Sequence, residues 1–439
     1  MADTICAIAT PPGAGGVGIL RVSGDRVPDI AQRLLGRLPV PRQATRATVQ
    51  DAAGHLVDQG LALYFPHPAS YTGEHVLELH LHGNPHVLDQ ALRILVALGA
   101  RLARPGEFTE RAFLNGKIDL AQAEAVADLI GSATAQAAQA AAQALAGAFS
   151  AAVAALKERL IHVRVQLEAG LDFPDEDISP AADAQVRGQL RALADDLAGL
   201  LARAREGRLL RDGATVALLG RPNAGKSTLF NALCGHPAAI VSPLAGTTRD
   251  ALREVVDIEG IPVTLIDTAG LRDATTDPIE IEGVRRAQTI AQEAQLRLLL
   301  IDDGADAAGA HPAFGKEGTT LVVYTKIDVT GRPPGPAPGG IAVSALSGDG
   351  MDALRGALSA CLRGAPPAEG TFTARTRHIE ALHQVRRHVE AAVSRQAESA
   401  HDLAAEDLRR AQTALGAITG EFTSEDLLGE IFSRFCIGK

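Results

Sequence analysis

Apolar positions recur in two rhythms along this chain, and the switch between them divides it. From Thr4 to about Lys117, short apolar runs at Ile5 to Ala9, Gly18 to Val22, Leu61 to Phe65 and His75 to Leu81 are separated by turn clusters and predict strands, while Pro85 to Leu98 has helical spacing. An α+β domain is expected there. Beyond Leu120 the chain is Ala-rich, and Leu145, Phe149, Val153, Leu156, Leu160, Val163 and Leu167 recur at steps of three and four, predicting one long helix with a single apolar stripe as far as Gly170. Asp172 to Asp175 and Ser179-Pro180 interrupt the pattern, and Leu190, Leu193, Leu197 and Leu201 begin a second stripe that ends near Asp212-Gly213.

Over the next 150 or so residues the rhythm is of continuous apolar strands (Thr215 to Leu219, Val263 to Ile266, Leu296 to Asp302, Thr320 to Tyr324, Ile341 to Ser344) mixed with helices from Lys226 to Leu233 and from Asp349. Such strands predict a mostly parallel sheet covered on both faces. After a Pro/Gly-rich linker, Gly364 to Gly370, helical spacing returns at Ile379, Leu382, Val385 and Val389. Near the end, Thr423-Ser424-Glu425-Asp426 has capping-box form ahead of Leu427, Leu428, Ile431, Phe432 and Phe435. The expected architecture is multidomain: an α+β domain over residues 1–118, a helical domain divided between 119–212 and 366–439, and an α/β domain over 213–365 inserted between the helical parts.

Composition supports packed domains. At 439 residues about three are expected, and 46% hydrophobic with 21% charged residues excludes disordered, collagenous and disulfide-scaffold classes. Cys6, Cys234, Cys361 and Cys436 lie far apart without a C-x-x-C, so neither a disulfide framework nor zinc is indicated, and a cytoplasmic protein is expected. The first residues lack a basic stretch followed by an apolar run, and no segment reaches 18 uninterrupted apolar residues, which disfavours secretion and membrane spanning. The net charge of -10 restricts any RNA contact to a local surface or one shared with a partner.

The α/β segment carries the chemistry. Gly220-Arg221-Pro222-Asn223-Ala224-Gly225-Lys226-Ser227 matches a phosphate loop between a strand and a helix, with Thr228 next. Its glycines let backbone N–H groups curl round phosphates, Lys226 reaches the β/γ-phosphates and Ser227 offers a hydroxyl to Mg²⁺. Asp267-Thr268-Ala269-Gly270 ends a strand, where an Asp can hold Mg²⁺ and the Gly N–H can sense a γ-phosphate. Gly246-Thr247-Thr248-Arg249-Asp250 is a polar loop able to close over that phosphate, with Thr248 as candidate Mg²⁺ ligand. Thr325-Lys326-Ile327-Asp328 and Ser344-Ala345-Leu346, each after a strand, look like guanine-reading elements, Asp328 accepting from the base's two adjacent donors. GTP is therefore expected over ATP. Thr325 stands where Asn is usual, so guanine selectivity is expected to survive with altered affinity. Leu271, after the D-x-x-G, cannot position water, which leaves Asp273, Asp277, Glu280 and Glu282 as candidates.

With these motifs assembled, the chain resembles the tRNA modification GTPase family known as MnmE or TrmE. Four further stretches carry the likeness: Ala9-Thr10-Pro11-Pro12-Gly13 through Gly18-Ile19-Leu20-Arg21; Tyr71-Thr72-Gly73-Glu74 with Val76 to Leu79; Arg104 to Phe108 through Leu120 to Glu124; and Gly420 to Thr423 with Cys436-Ile437-Gly438-Lys439. The resemblance implies a folate-binding, dimerising N-terminal domain, a split helical domain and an inserted Ras-like GTPase domain. It implies a homodimer working with a flavin-dependent MnmG (GidA) subunit, in a heterotetramer with FAD and NADH on the partner. Together they would add a carboxymethylaminomethyl-type group to C5 of the wobble uridine of certain tRNAs, with one carbon from a 5-formyl- or methylene-type tetrahydrofolate. By position it gives Glu280 the water-positioning role; one residue inserted within Thr275 to Pro278 keeps Glu282 as the alternative. It implies K⁺ held by Asn223, Ser242, Leu244 and Thr247, with Ser242 in place of the expected Thr, and folate contacts from Arg21, Glu78, Lys117 and Lys439. A GTP-dependent RNA or ribosome assembly switch without modification chemistry is the alternative function.

Other features read blandly. Glu78, His80 and His82 share one strand face and are expected to be a polar surface rather than a metal site. Cys436 is fourth from the end, but Gly438 and Lys439 do not fit a prenylation signal; it is either a small buried thiol or a group near the one-carbon site. Pro12 to Gly18 is Gly-rich without a phosphate-loop Lys and reads as a tight loop.

Overall fold

Period-two alternation builds the first sheet, in which apolar residues of successive strands face one pair of helices. The structure, a computed structural model, describes residues 3–172, 180–221, 223–235, 253–267, 294–304, 319–364, 370–421 and 425–438. It divides into one unit of residues 1–127 with 412–439 and another of residues 128–411. In the first unit, β1 (Ile5–Ile8), β2 (Gly15–Ser23), β3 (Thr45–Gln50), β4 (Leu56–Phe65), β5 (Val76–Gly83) and β6 (Arg101–Leu102) form a six-stranded sheet in the order β3-β4-β5-β2-β1-β6. All pairs are antiparallel except β1 with β6. Helices α1 (Val27–Leu35) and α2 (Pro85–Ala97) cover one face, packing Ile30, Leu88 and Leu95 against Leu20, Val22, Leu77 and Leu79. The opposite face is reached by the alternate residues, and the register sets Arg21 beside Glu78 and Ile19 beside His80. Phe108 of α3 (Glu107–Leu114) packs on Ile5 and Ala7. Strand β3 escapes a hydrophobic reading because only Ala47 and Val49 of its six residues are apolar.

The long helix predicted from Leu120 to Gly170 is instead three: α4 (Leu120–Gly131), α5 (Ala135–Leu145) and α6 (Ala148–Asp172). Local chemistry cuts it. The Thr134 hydroxyl caps α5 by accepting from the Ala137 N–H, and Gly147 at φ 94° supplies a left-handed turn before α6. The stripe from Phe149 to Leu167 is buried on α6, and Leu190, Leu193, Leu197 and Leu201 are buried on α7 (Pro180–Asp212).

At Gly213, φ 71°, the chain turns from α7 into β7 (Ala214–Gly220), passing so near Pro262 that a Cβ would lie 2.3 Å from its carbonyl oxygen. There follow α8 (Lys226–Cys234), β8 (Arg253–Ile258), β9 (Ile261–Asp267), β10 (Leu296–Asp302), β11 (Thr319–Thr325), α9 (Ile327–Thr330), β12 (Gly335–Ala337), β13 (Gly340–Ala342) and α10 (Met351–Arg363). Their seven strands run β12-β13-β11-β10-β7-β9-β8, the five inner ones parallel and each edge strand antiparallel to its neighbour. Val216, Leu218, Val263, Leu265, Leu298 and Leu300 form the core with Leu229 of α8 and Leu354 and Leu358 of α10. Ala140 of α5 and Leu210 of α7 belong to the same core.

Hairpin β8–β9 turns on Glu259 and Gly260, both at positive φ (49° and 85°), the form that matches the twist of antiparallel strands. This turn is bound to the helices. Thr134 Oγ1 donates to the Gly260 carbonyl at 2.7 Å, and Arg363 Nη2 donates to the Glu259 carbonyl at 2.9 Å. The remaining helices are α11 (Thr376–Ala397), with Ile379, Leu382, Val385 and Val389 buried as the spacing predicts, α12 (His401–Thr419) and α13 (Glu425–Ser433). Thr423 and Ser424 of the expected capping box lie outside the described residues. Ile431, Phe432 and Phe435 pack on Leu120 and Ala123 in the first unit.

Candidate nucleotide site

The apolar strand β7 stops at Gly220 and α8 starts at Lys226, so the intervening loop sits at a helix N-terminus, where unpaired N–H groups favour anions. Its curl depends on Gly220 (φ 150°), Asn223 (φ 65°) and Gly225 (φ 82°). At Gly220 a Cβ would stand 2.6 Å from the Leu300 carbonyl, so only glycine lets β10 approach this closely.

Lys226 is 8% exposed, and its ammonium donates to the carbonyls of Gly220 and Arg221, both at 2.8 Å. Burial lowers its pKa, opposed by the charge on Asp267. Asp267, 1% exposed at the end of β9, accepts a 3.0 Å hydrogen bond from Ser227 Oγ. Two hard oxygens from separate elements thus converge beside Lys226, a donor set suited to Mg²⁺. Ala224 is buried, while Ser227 and Thr228 on the first turn of α8 are exposed.

Thr325 sits at the end of β11, only 3% exposed. Its hydroxyl lies 2.9 Å from the Ala224 carbonyl and 3.2 Å from the Ile301 carbonyl, and its one proton serves one of them at a time. This side chain faces the phosphate loop, bracing it against the segment that follows β11. Lys326, at φ 62°, pairs with Asp302 at 2.7 Å, and that hydrogen bond is the main cause holding the Asp302 carboxyl below its ordinary value. Asp302 was not among the sequence candidates; its only signal was a carboxylate ending the apolar run of β10. Asp328 is exposed in the first turn of α9. Ser344 is fully buried, its carbonyl accepting from Gly348 N–H and its hydroxyl from Ser347 N–H, which leaves Leu346 83% exposed at the loop tip next to Ala345. The structure therefore links Ser227 to Asp267, Thr325 to Ala224, and Lys226 to the loop carbonyls of Gly220 and Arg221. Ser242, Leu244, Thr247, Thr248, Thr268, Ala269, Gly270, Leu271, Glu280 and Glu282 lie outside the described residues.

In the other unit, Arg21 Nε donates to Glu78 Oε1 at 2.9 Å, and Arg21 Nη1 donates to the Gly438 carbonyl at 3.3 Å. The guanidinium stands 5.7 Å from the ring centroids of both Tyr71 and Phe108, which lie in stretches that carry the family likeness but are not among the expected folate contacts. His80 Nε2 is 3.3 Å from Glu78, whereas His82 turns to Asp58 at 2.8 Å. Lys117 donates to the Pro68 carbonyl at 3.2 Å rather than to this pair. Cys436 is exposed, its carbonyl accepting from Gly106 N–H at 3.4 Å, and Lys439 lies outside the described residues. Among the described residues no three His, Cys, Asp or Glu side chains cluster as a metal site, and no single helix is long and apolar enough to cross a membrane.

Comparison with known proteins gives two family matches: residues 4–117 match the GTP-binding protein TrmE N-terminus and residues 120–436 match the MnmE helical domain. The chain is 52% identical to the tRNA modification GTPase MnmE of Thiobacillus denitrificans, over 100% of this chain and 98% of that one. It is 53% identical to the protein of the same description from Alkalilimnicola ehrlichii, over 99% of each, and 50% identical to that of Stutzerimonas stutzeri, over 100% and 99%.

Proposed function

The chain belongs to the MnmE family of tRNA modification GTPases, and on that premise we propose that it hydrolyses GTP to time the modification of tRNA wobble uridines. The observation that carries the GTPase part is the convergence of buried Lys226, Ser227 and buried Asp267 at the start of α8. In this reading Lys226 exchanges its two carbonyl acceptors for β- and γ-phosphate oxygens, adding no new charge to the loop when it does so. Asp328 and the Ser344-Ala345-Leu346 loop read guanine, and Thr325 keeps the base-reading segment in register with the phosphate loop.

Ser227, aligned by Asp267, and Thr248 would hold Mg²⁺, and Asn223, Ser242, Leu244 and Thr247 would hold K⁺; both ions supply positive charge against that developing on the phosphates. Glu280 orients the attacking water, since Leu271 cannot. The Arg21–Glu78 pair, with a cation, a carboxylate and two aromatic rings on one sheet face, suits a folate, whose one-carbon unit would be delivered near Cys436 and Lys439. We further read the chain as a cytoplasmic homodimer that joins an MnmG-type flavoprotein to add the carboxymethylaminomethyl-type group at C5.

The test is mass spectrometry of wobble nucleosides from cells lacking this chain, complemented by wild type or by Lys226→Ala. Loss of the modified uridine, restored by wild type and not by Lys226→Ala, is expected. Unchanged nucleosides in the deletion would overturn the modification role and favour an assembly switch.

A further inference from the structure

Carboxylates outnumber cations in this protein, and in the unit of residues 128–411 most arginines found near one are paired with it. Arg211 and Arg375 share Asp128, Arg363 holds Glu206, and Arg395 holds Asp407. On one face, arginines without such a pair lie close together. On α7, Arg205 and Arg208 are one turn apart, and on α11, His383, Arg386 and Arg387 are likewise within one turn, so each set lies on one side of its helix. The two sets meet where Arg205 Nη2 lies 3.3 Å from His383 Nε2. Arg205, Arg208, Arg386 and Arg387 are all exposed, and Arg205, Arg208 and Arg387 form no ion pair with a carboxylate among the described residues. Among the described residues Arg386 has Glu390 at 3.7 Å, on an exposed side chain. His383 responds to the setting: desolvation first, then the charges of Arg386, Arg205 and Arg387, lower its pKa.

Like charges held together with one long, exposed ion pair as their internal compensation call for an anion from outside. Guanidiniums bind phosphate through forked donors, and positions a helical turn apart can contact phosphates along a backbone. Neither α7 nor α11 carries a Phe, Tyr or Trp on which an unpaired base could stack, and His383 has its Nε2 engaged by Arg205, so the contacts of this face would position a nucleic acid rather than read its sequence. Resting on the tRNA reading above, we propose that Arg205 and Arg208 of α7 with His383, Arg386 and Arg387 of α11 form a docking surface for the sugar-phosphate backbone of a tRNA stem.

The experiment measures fluorescence anisotropy of an unmodified tRNA transcript with the full-length chain, between about 50 and 200 mM salt. Arg205→Ala/Arg387→Ala is expected to weaken binding about tenfold or more at the lower salt and to flatten the log–log salt slope by about two, one per lost phosphate contact. Arg205→Lys/Arg387→Lys should retain most of the slope, and Arg409→Ala, which removes an exposed arginine paired with Glu406, should change neither quantity. GTP turnover, measured on the same samples, should be equal in all, which reports folding. Equal affinity and slope for wild type and the double alanine variant would overturn this surface alone. Equal tRNA binding with loss of a protein partner from the variant would assign the face to protein and also overturn it. Absence of tRNA binding by wild type would overturn the tRNA reading itself.

Discussion

Arg363 and Glu206 form an ion pair at 2.6 Å with side chains 7% and 12% exposed, and the other arm of the same guanidinium holds the Glu259 carbonyl and Gln136. One residue at the end of α10 thus fastens α7, α5 and the β8–β9 turn together. Truncating it removes the Arg363 charge and its hydrogen bond from a largely buried Glu206 carboxylate, and breaking such a pair typically costs up to about 3–5 kcal/mol. Arg363→Ala is expected to lower stability by that order in urea denaturation. Arg363→Met/Glu206→Leu, which removes both charges, should recover much of the loss; a double variant as unstable as the single one would refute the ion-pair explanation.

Asp267 aligns the Ser227 hydroxyl at 3.0 Å. Asp267→Asn keeps the shape but removes the charge, and the Mg²⁺ concentration giving half-maximal GTP turnover should rise by roughly 10- to 100-fold. A turnover assay over a Mg²⁺ series checks this, and an unshifted midpoint would remove Asp267 from the metal site.

Thr325 offers its hydroxyl to the phosphate loop rather than to solvent. Thr325→Val should leave the Ala224 carbonyl without that donor, at about 1–3 kcal/mol, and weaken GTP and GDP alike. Discrimination between GTP and ITP should stay as in wild type. Selective loss of guanine preference, read by competition binding, would mean that Thr325 acts on the base instead.

In the other unit, burial pushes the Glu107 carboxyl up, but hydrogen bonds from Arg101, the Arg104 N–H and Arg111 outweigh it and hold the group below its ordinary 4.5. A depressed carboxyl contributes stability that is fully present above the unfolded value and lost as pH falls through the folded one. Melting temperature should therefore drop on acidification below about pH 4.5, and Glu107→Gln should be less stable at neutral pH but show a shallower acid decline. Parallel pH profiles for the two proteins would contradict this.

Hydrolysis itself should depend on Glu280 and on the monovalent ion. Glu280→Ala is expected to lower turnover far more than GTP affinity, and Na⁺ in place of K⁺ should slow turnover. Steady-state kinetics with separate nucleotide-binding measurements checks both, and unchanged turnover in the two experiments would refute the mechanism.

Much of this organisation was legible in the residues. Apolar runs such as Leu298 to Leu300 and stripes such as Phe149 to Leu167 announce their elements because the apolar positions there are buried on a regular period. Strand β3 was hidden because its residues are mainly polar, and the breaks at Thr134 and Gly147 were hidden because cap chemistry interrupts an Ala-rich run without changing its hydrophobicity. In the site, Lys226, Ser227 and Asp267 were legible from spacing alone. The inward turn of Thr325 and the Lys326–Asp302 pair were not, since each depends on which strands become neighbours: β10 lies between β7 and β11 only after the sheet forms.

Ala140 and Leu210 complete the core beneath the nucleotide-binding sheet although they come from flanking helices. The stability of an isolated segment is the consequence. A fragment cut at residues 213 and 365 would keep every phosphate-contacting residue of the loop yet lose both of these side chains and the anchors Thr134 and Glu206. The α/β segment inserted between the helices shares its core with them, and a nucleotide-binding fragment that carries α5 and α7 is expected to melt higher than one cut at residues 213 and 365.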